Sequence, residues 1–171
     1  WAAGGDVDTQ RLLRQALAFA MPYDEIQTKV LFGSGRRWDG LITSTFPGAK
    51  SYPGRYTTDP AKASELLAQA GYPNAEGLEG PGLVLYYTAE RSSLLEPIAT
   101  EIQTALGAVG ITITLEPLPA VEFDDRNSGA KRELALALLD QEYAHGTDPS
   151  YMTELFYITG GIVNRTGYSN P

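Results

Sequence analysis

The stretch that most restricts this chain is a strand, a helix and a second strand set end to end between residues 83 and 118. "LVLYYT", Leu83–Thr88, is a run of strand-forming apolar and aromatic residues. Ser93-Leu-Leu-Glu96 reads as a capping box, and Pro97 is tolerated in the first turn behind it. Leu95, Ile98, Ala99, Ile102, Leu106 and Val109 then recur at helical spacing until Gly110 closes the segment. In "ITITLEPL", Ile111, Ile113 and Leu115 alternate with polar residues, as a half-buried strand requires. Short connections between such elements predict a βαβ unit, with parallel strands and a right-handed crossover. The chain is therefore read as α/β.

Helices lead into this unit. "DTQRLLRQALAFA", Asp8–Ala20, places Leu12, Leu13, Ala16, Leu17 and Ala20 on one face, with Asp8 as its cap. Pro22 interrupts, and "YDEIQTKVLF" predicts a second helix ending at Gly33. Residues 33–56 carry Gly, Pro, Ser, Thr and aromatics without periodicity, the composition of a long loop or lid. "DPAKASELLAQAGYP" is signed at both ends. Asp59 caps, Pro60 takes the first helical position, and Gly71 supplies the left-handed stop. After the βαβ unit come a short helix near Ala120–Asn127, then "ELALALL", which reads as a buried central strand. A polar stretch, "DQEYAHGTDPSY", leads to a short helix through Phe156. No internal repeat is present. The layout predicts one mixed, largely parallel sheet flanked by helices.

At 171 residues the chain can bury a core of its own, and one domain is the expected count. No apolar run approaches the roughly 20 residues of a membrane-spanning helix. "WAAGGDVDTQ" has neither the basic nor the apolar region of a signal peptide, so residue 1 is expected to be the cut edge of a longer protein. A net charge of −8 argues against nucleic acid as a partner, because phosphate binding needs clustered Lys and Arg. The absence of cysteine excludes disulfides, thiolate metal sites and thiol catalysis, and it suits an exported bacterial protein.

Several blocks resemble those of the family 5 extracellular solute-binding proteins, the oligopeptide-, dipeptide- and nickel-type receptors of ABC importers. "LRQALAFAMPYDEI", Leu13–Ile26, is similar to the family's Arg-Gln-Ala-Leu helix pair. "DPAKASELLAQAGYP" resembles its Asp-Pro-x-Lys-Ala…Ala-Gly-Tyr helix. "IATEIQTALGAVGITITL", Ile98–Leu115, resembles the helix–strand that follows. "ELALALL…TDPSYMTELF" and the terminal "GYSNP" come in the family's order. The resemblance implies that residues 1–171 form a single ligand-binding lobe of a two-lobe, periplasmic-binding-protein-like fold. The first lobe and the C-terminal return would lie outside this chain. It further implies a receptor without a cofactor, monomeric, periplasmic or extracellular, and lipid-anchored in a Gram-positive host. Its partners would be a peptide or other small ligand and the permease subunits of the transporter.

In open α/β sheets the C-terminal ends of the strands face the binding crevice. The loop leaving "ELALALL" is therefore the best-placed segment for ligand contact, with Asp140, Gln141, Glu142, Tyr143 and His145 as candidates. Peptide-binding relatives often place a carboxylate three residues before the acidic-Pro pair and an aromatic three residues earlier still. Here those positions hold His145 and Glu142. The imidazole would instead suit a carboxylate, a phosphate or a metal chelate, or it is an exposed loop residue. Opines, sugars and chelates thus stand beside peptides. Asp148 is expected to cap the helix that begins at Pro149. Arg36, Arg37 and Trp38 join two guanidinium groups to an indole, which suits an anionic or flat ligand, or else a lid packed on its own Trp. Tyr86 and Tyr87 alternate across their strand, so one is expected in the core and the other toward the cleft.

Other chemistries lack their signatures. "GSGRRW" misses the third glycine of a dinucleotide loop and follows a helix. One His and no Cys leave no ordinary zinc site. A hydrolase would have to use His145 as its base, with no Gly-x-Ser-x-Gly elbow beside it. An enzyme of that kind, or a ligand sensor borrowing the receptor fold, are the readings set against transport.

Overall fold

A computed structural model gives the arrangement of residues 6–40, 42, 44, 46–52, 55–78, 83–128, 130–140, 148–161, 164, 165 and 169. The elements are α1 (Val7–Ala20), α2 (Tyr23–Glu25) with a π-turn (Ile26–Val30), α3 (Pro60–Gln69), β1 (Leu83–Thr88) and α4 (Ser92–Ala108). They continue with β2 (Ile113–Leu118), α5 (Ala120–Arg126), β3 (Leu136–Ala137) and α6 (Pro149–Phe156).

The βαβ expectation holds. β1 and β2 pair in parallel from Leu83 opposite Ile113 to Thr88 opposite Leu118, with α4 between them in sequence. β3 pairs in parallel with the other edge of β1, so the order is β2-β1-β3. "ELALALL" was expected to be the buried central strand. It is instead a half-buried edge among the described residues, and only Leu136 and Ala137 enter the ladder. An apolar run reports that a strand is covered, but its place in the order depends on which strand pairs twice. Here that strand is β1.

The core lies on one face of the sheet. α1 contributes Leu13, Ala16 and Ala20, α3 contributes Ala63, Leu66 and Leu67, and α4 contributes Leu95, Ala99, Ile102 and Leu106. These pack with Leu85 and Tyr87 of β1 and Ile113 of β2. α5 covers the other face, where Phe123 is fully buried and Arg126 reaches Tyr86.

The caps follow local chemistry with two corrections. Asp59 accepts from Lys62 N at 2.9 Å, and Gly71 takes φ 90°, as expected for α3. α1 starts earlier than expected, because Asp6 rather than Asp8 accepts from the third amide, Thr9 N, at 2.8 Å. The capping box at Ser93 does not form. A 3₁₀ turn (Ala89–Arg91) runs straight into α4, which begins at Ser92 without a side-chain cap, and Ser92 Oγ donates to Ala89 O at 2.8 Å. The second helix is also shorter and wider than expected. After Glu25 it becomes a π-turn, and Phe32 turns left-handed just before Gly33.

Candidate functional site

β1, β2 and β3 run in the same direction, so the segments that leave Thr88, Leu118 and Ala137 meet along one edge of the sheet. Three groups converge there. Leu138 N donates to Tyr86 O at 2.8 Å and extends β3 by one step toward Asp140. Arg91, just past β1, donates from Nε to Asp140 Oδ2 at 2.6 Å, and Nη2 reaches the same oxygen. The pair thus ties the exit of β1 to the exit of β3. Glu90 accepts the Ala120 N–H through both carboxylate oxygens at 3.0 Å, tying the exit of β1 to the start of α5. That backbone bond holds the Glu90 carboxyl below its ordinary range.

The side chain of Arg91 is 57% exposed and that of Asp140 is 26% exposed. Ion pairs so open to water are worth only about 0–1 kcal/mol. Both charges are therefore cheap to redirect, Asp140 toward a cation and the Arg91 fork toward a carboxylate or phosphate.

Tyr86 and Tyr87 divide as alternation requires. Tyr87 is 3% exposed in the core, where burial raises its phenol pKa and nearby Glu96 adds to the effect. Tyr86 lies on the α5 face, half-buried. Arg126 donates to its hydroxyl at 3.3 Å and lies 4.8 Å from its ring centroid. The same guanidinium meets Glu122 at 3.4 Å and Glu133 at 3.7 Å, which locks the α5 side of the edge.

Arg36, Arg37 and Trp38 are brought together with one another. Arg37 stacks on the Tyr23 ring at 3.7 Å, pairs with Asp39 at 2.9 Å and donates to Tyr56 O. Trp38 Nε1 donates to Ile42 O at 2.7 Å. Arg36 donates to Ser44 Oγ at 2.7 Å and lies 5.7 Å from the Trp38 ring. No hydrogen bond or ion pair among the described residues joins this group to Asp140.

Gln141, Glu142, Tyr143 and His145 lie outside the described residues. Asp148 does cap α6, accepting from Ser150 N at 2.8 Å, a bond that lowers its pKa. Asn164, the first residue of a glycosylation-like Asn-Arg-Thr, is 2% exposed and donates to Ile158 O, so its amide is not presented to solvent.

Reading the sequence missed Glu90, Arg91 and Arg126. The signal for the first two was available. The rule that drew attention to the residues after "ELALALL" applies equally to the Ala-Glu-Arg that follows "LVLYYT". Arg126 carried no such signal, since only the packing of α5 on β1 brings it to Tyr86.

A groove of about 490 Å³ lies between the π-turn and α4, lined by Lys29, Ser93, Glu96, Thr100 and Glu101 and bridged by the Lys29–Glu101 pair at 3.4 Å. It contains none of the candidate residues. Among the described residues, no cluster of three His, Cys, Asp or Glu side chains could hold a metal ion. No helix among them is long and apolar enough to cross a membrane.

A parallel α/β sheet with charged groups gathered at its C-terminal edge is a ligand-binding architecture. Residues 8–164 match the middle region of the bacterial extracellular solute-binding proteins, family 5, and the chain belongs to that family. The family comprises substrate-binding components of ABC transporters, extracellular or periplasmic, and is not enzymatic. A comparison with curated proteins gives no match.

Among solved structures, the chain is similar to the ABC transporter substrate-binding protein CtaP of Listeria monocytogenes, with a TM-score of 0.76 and 25% identity. That match covers 94% of this chain and 32% of CtaP. It is also similar to the periplasmic binding protein DppA of Helicobacter pylori in complex with the peptide STSA, with a TM-score of 0.77 and 23% identity over 96% of this chain and 31% of DppA. A third is NikA of Staphylococcus aureus in complex with Ni(L-His)2, with a TM-score of 0.75 and 20% identity over 94% of this chain and 33% of NikA. The chain thus spans about a third of the length of these proteins.

Proposed function

We propose that residues 1–171 act as one ligand-binding lobe of an ABC importer's receptor, which captures a peptide or peptide-like solute by closing on it and hands it to the permease. The solute is held at the C-terminal edge of the sheet by Asp140 and Arg91, with Gln141, Glu142, Tyr143 and His145, which follow Asp140 in sequence, as further candidates. The observation that carries this reading is the Arg91–Asp140 pair bridging the exits of β1 and β3. A peptide brings an ammonium and a carboxylate, and the edge offers a weakly paired counter-charge for each. Tyr86, propped by Arg126, supplies a flat wall nearby. The structural likeness to DppA with bound STSA supports the same class.

A second reading, a non-peptide solute such as a metal chelate, is favoured by His145 and Glu142, which depart from the peptide pattern, and by the likeness to NikA with Ni(L-His)2. Native mass spectrometry of the receptor carrying this chain, purified without denaturation, separates the two. A ladder of short-peptide masses is the expected result, reduced by Asp140→Asn or Arg91→Gln. One non-peptide mass, unaffected by either substitution, would overturn the peptide assignment and move the contacts elsewhere.

A further inference from the structure

At the start of the loop that follows the π-turn lies a cavity of about 300 Å³, walled mainly by carbon atoms and lined by Tyr23, Ile26, Gln27, Leu31, Arg36 and Arg37. It shares no residue with the sheet edge. The backbone around it is unusual in two ways. Leu31 N donates to Ile26 O at 3.0 Å and Gly33 N to Gln27 O at 2.8 Å, spacings wider than an α-helix allows. Such π-turns recur at functional sites. Phe32 then takes φ 51° although the residue is 87% exposed, and Gly33 and Gly35 follow at φ 75° and 81°. A left-handed phenylalanine is sterically unfavourable, and here it gains no burial in return. The strain instead serves the path of the chain, which carries residues 34–37 round the cavity.

The two guanidinium groups on the cavity wall differ. Arg37 is neutralised by Asp39 and covered by the Tyr23 ring. Arg36 gives one donor to Ser44 Oγ, and among the described residues it forms no ion pair. A guanidinium has five N–H donors in a rigid fork, so Arg36 retains donors for an anion.

We propose that this cavity is a second binding site, for a small carboxylate with a single-ring apolar body. The body lies against Tyr23, Ile26 and Leu31, and the carboxylate meets Arg36. The site stands independently of the peptide reading, because it uses other residues and another chemistry.

Benzoate and benzyl alcohol are the probes, titrated into the isotope-labelled chain and followed by amide and indole NMR shifts. Benzoate is expected to give saturable shifts at Gln27, Leu31, Ser34 and the Trp38 indole, with benzyl alcohol at least about tenfold weaker. Arg36→Gln is expected to weaken benzoate by a similar factor and to leave benzyl alcohol unchanged. Arg36→Lys, which keeps the charge on the same fold, should bind better than Arg36→Gln. Equal binding of acid and alcohol, unchanged benzoate binding in Arg36→Gln, or shifts confined to residues outside the cavity would each overturn the assignment.

Discussion

Glu90 shows how a single carboxylate can tie the exit of one strand to the start of the next helix. Its two oxygens accept one backbone N–H from the first residue of α5, and this bond is the largest cause of its lowered pKa. A carboxyl with a depressed folded value contributes stability above its ordinary value of 4.5, and that contribution is lost as the pH falls through the lower folded value. Glu90→Gln keeps an acceptor but removes the charge. It is expected to lower the urea midpoint at pH 7 without changing the slope, and the gap from wild type should close on acidification below about pH 4.5. A gap of constant size between pH 7 and pH 3 would show that the charge contributes nothing. The neighbouring Arg91 has the opposite character. It is exposed, and its pair with Asp140 stands open to water, where such a contact adds little to stability.

At the scale of elements, α4 links the two strands of the sheet to the helical layer. Its apolar positions Leu95, Ala99, Ile102 and Leu106 were readable from spacing alone, and all four are buried. Leu106 is 1% exposed, so Leu106→Ala deletes a fully buried side chain and leaves a cavity in the core. The loss is expected at about 2–5 kcal/mol, measured as a drop in the denaturant midpoint. A cost below about 1 kcal/mol would mean that the α4–sheet packing collapses readily around the deletion.

Helix ends were legible where one candidate cap stood alone, as at Asp59. They were not legible where two competed. Asp6 and Asp8 are chemically identical caps, and the capping box read at Ser93 gives way to a start at Ser92 that has no side-chain cap. The start of α4 follows from the preceding 3₁₀ turn, which no local pattern announced. The π-turn was equally hidden, since "YDEIQTKVLF" has an ordinary helical composition.

At the scale of the whole molecule, one core runs through α1, α3, α4, β1 and β2. We expect the 171-residue chain to unfold in a single cooperative transition; on the proposed two-lobe reading it also binds the solute more weakly than the receptor that carries it, because a closing clamp divides its contacts between two jaws. Calorimetry on the chain and on that receptor, titrated with the same solute, measures the difference. Equal affinity would show that this lobe alone contains the whole transport site.

The sequence by itself determined the α/β class, the parallel βαβ unit, the caps of α3 and α6, and membership of a solute-receptor family. Each of these rests on spacing, turn chemistry or ordered blocks within a short span of chain. Only the tertiary structure decided that β1 is the central strand, that Tyr87 is the core tyrosine of its pair, and that Arg91 meets Asp140 across 49 residues of chain. Strand order and charge pairing depend on contacts between segments distant in sequence, whose partners no local pattern names. The C-terminal edge of the sheet is therefore readable as a location from strand direction, while its charge pairing emerges only when the three strand exits are brought together.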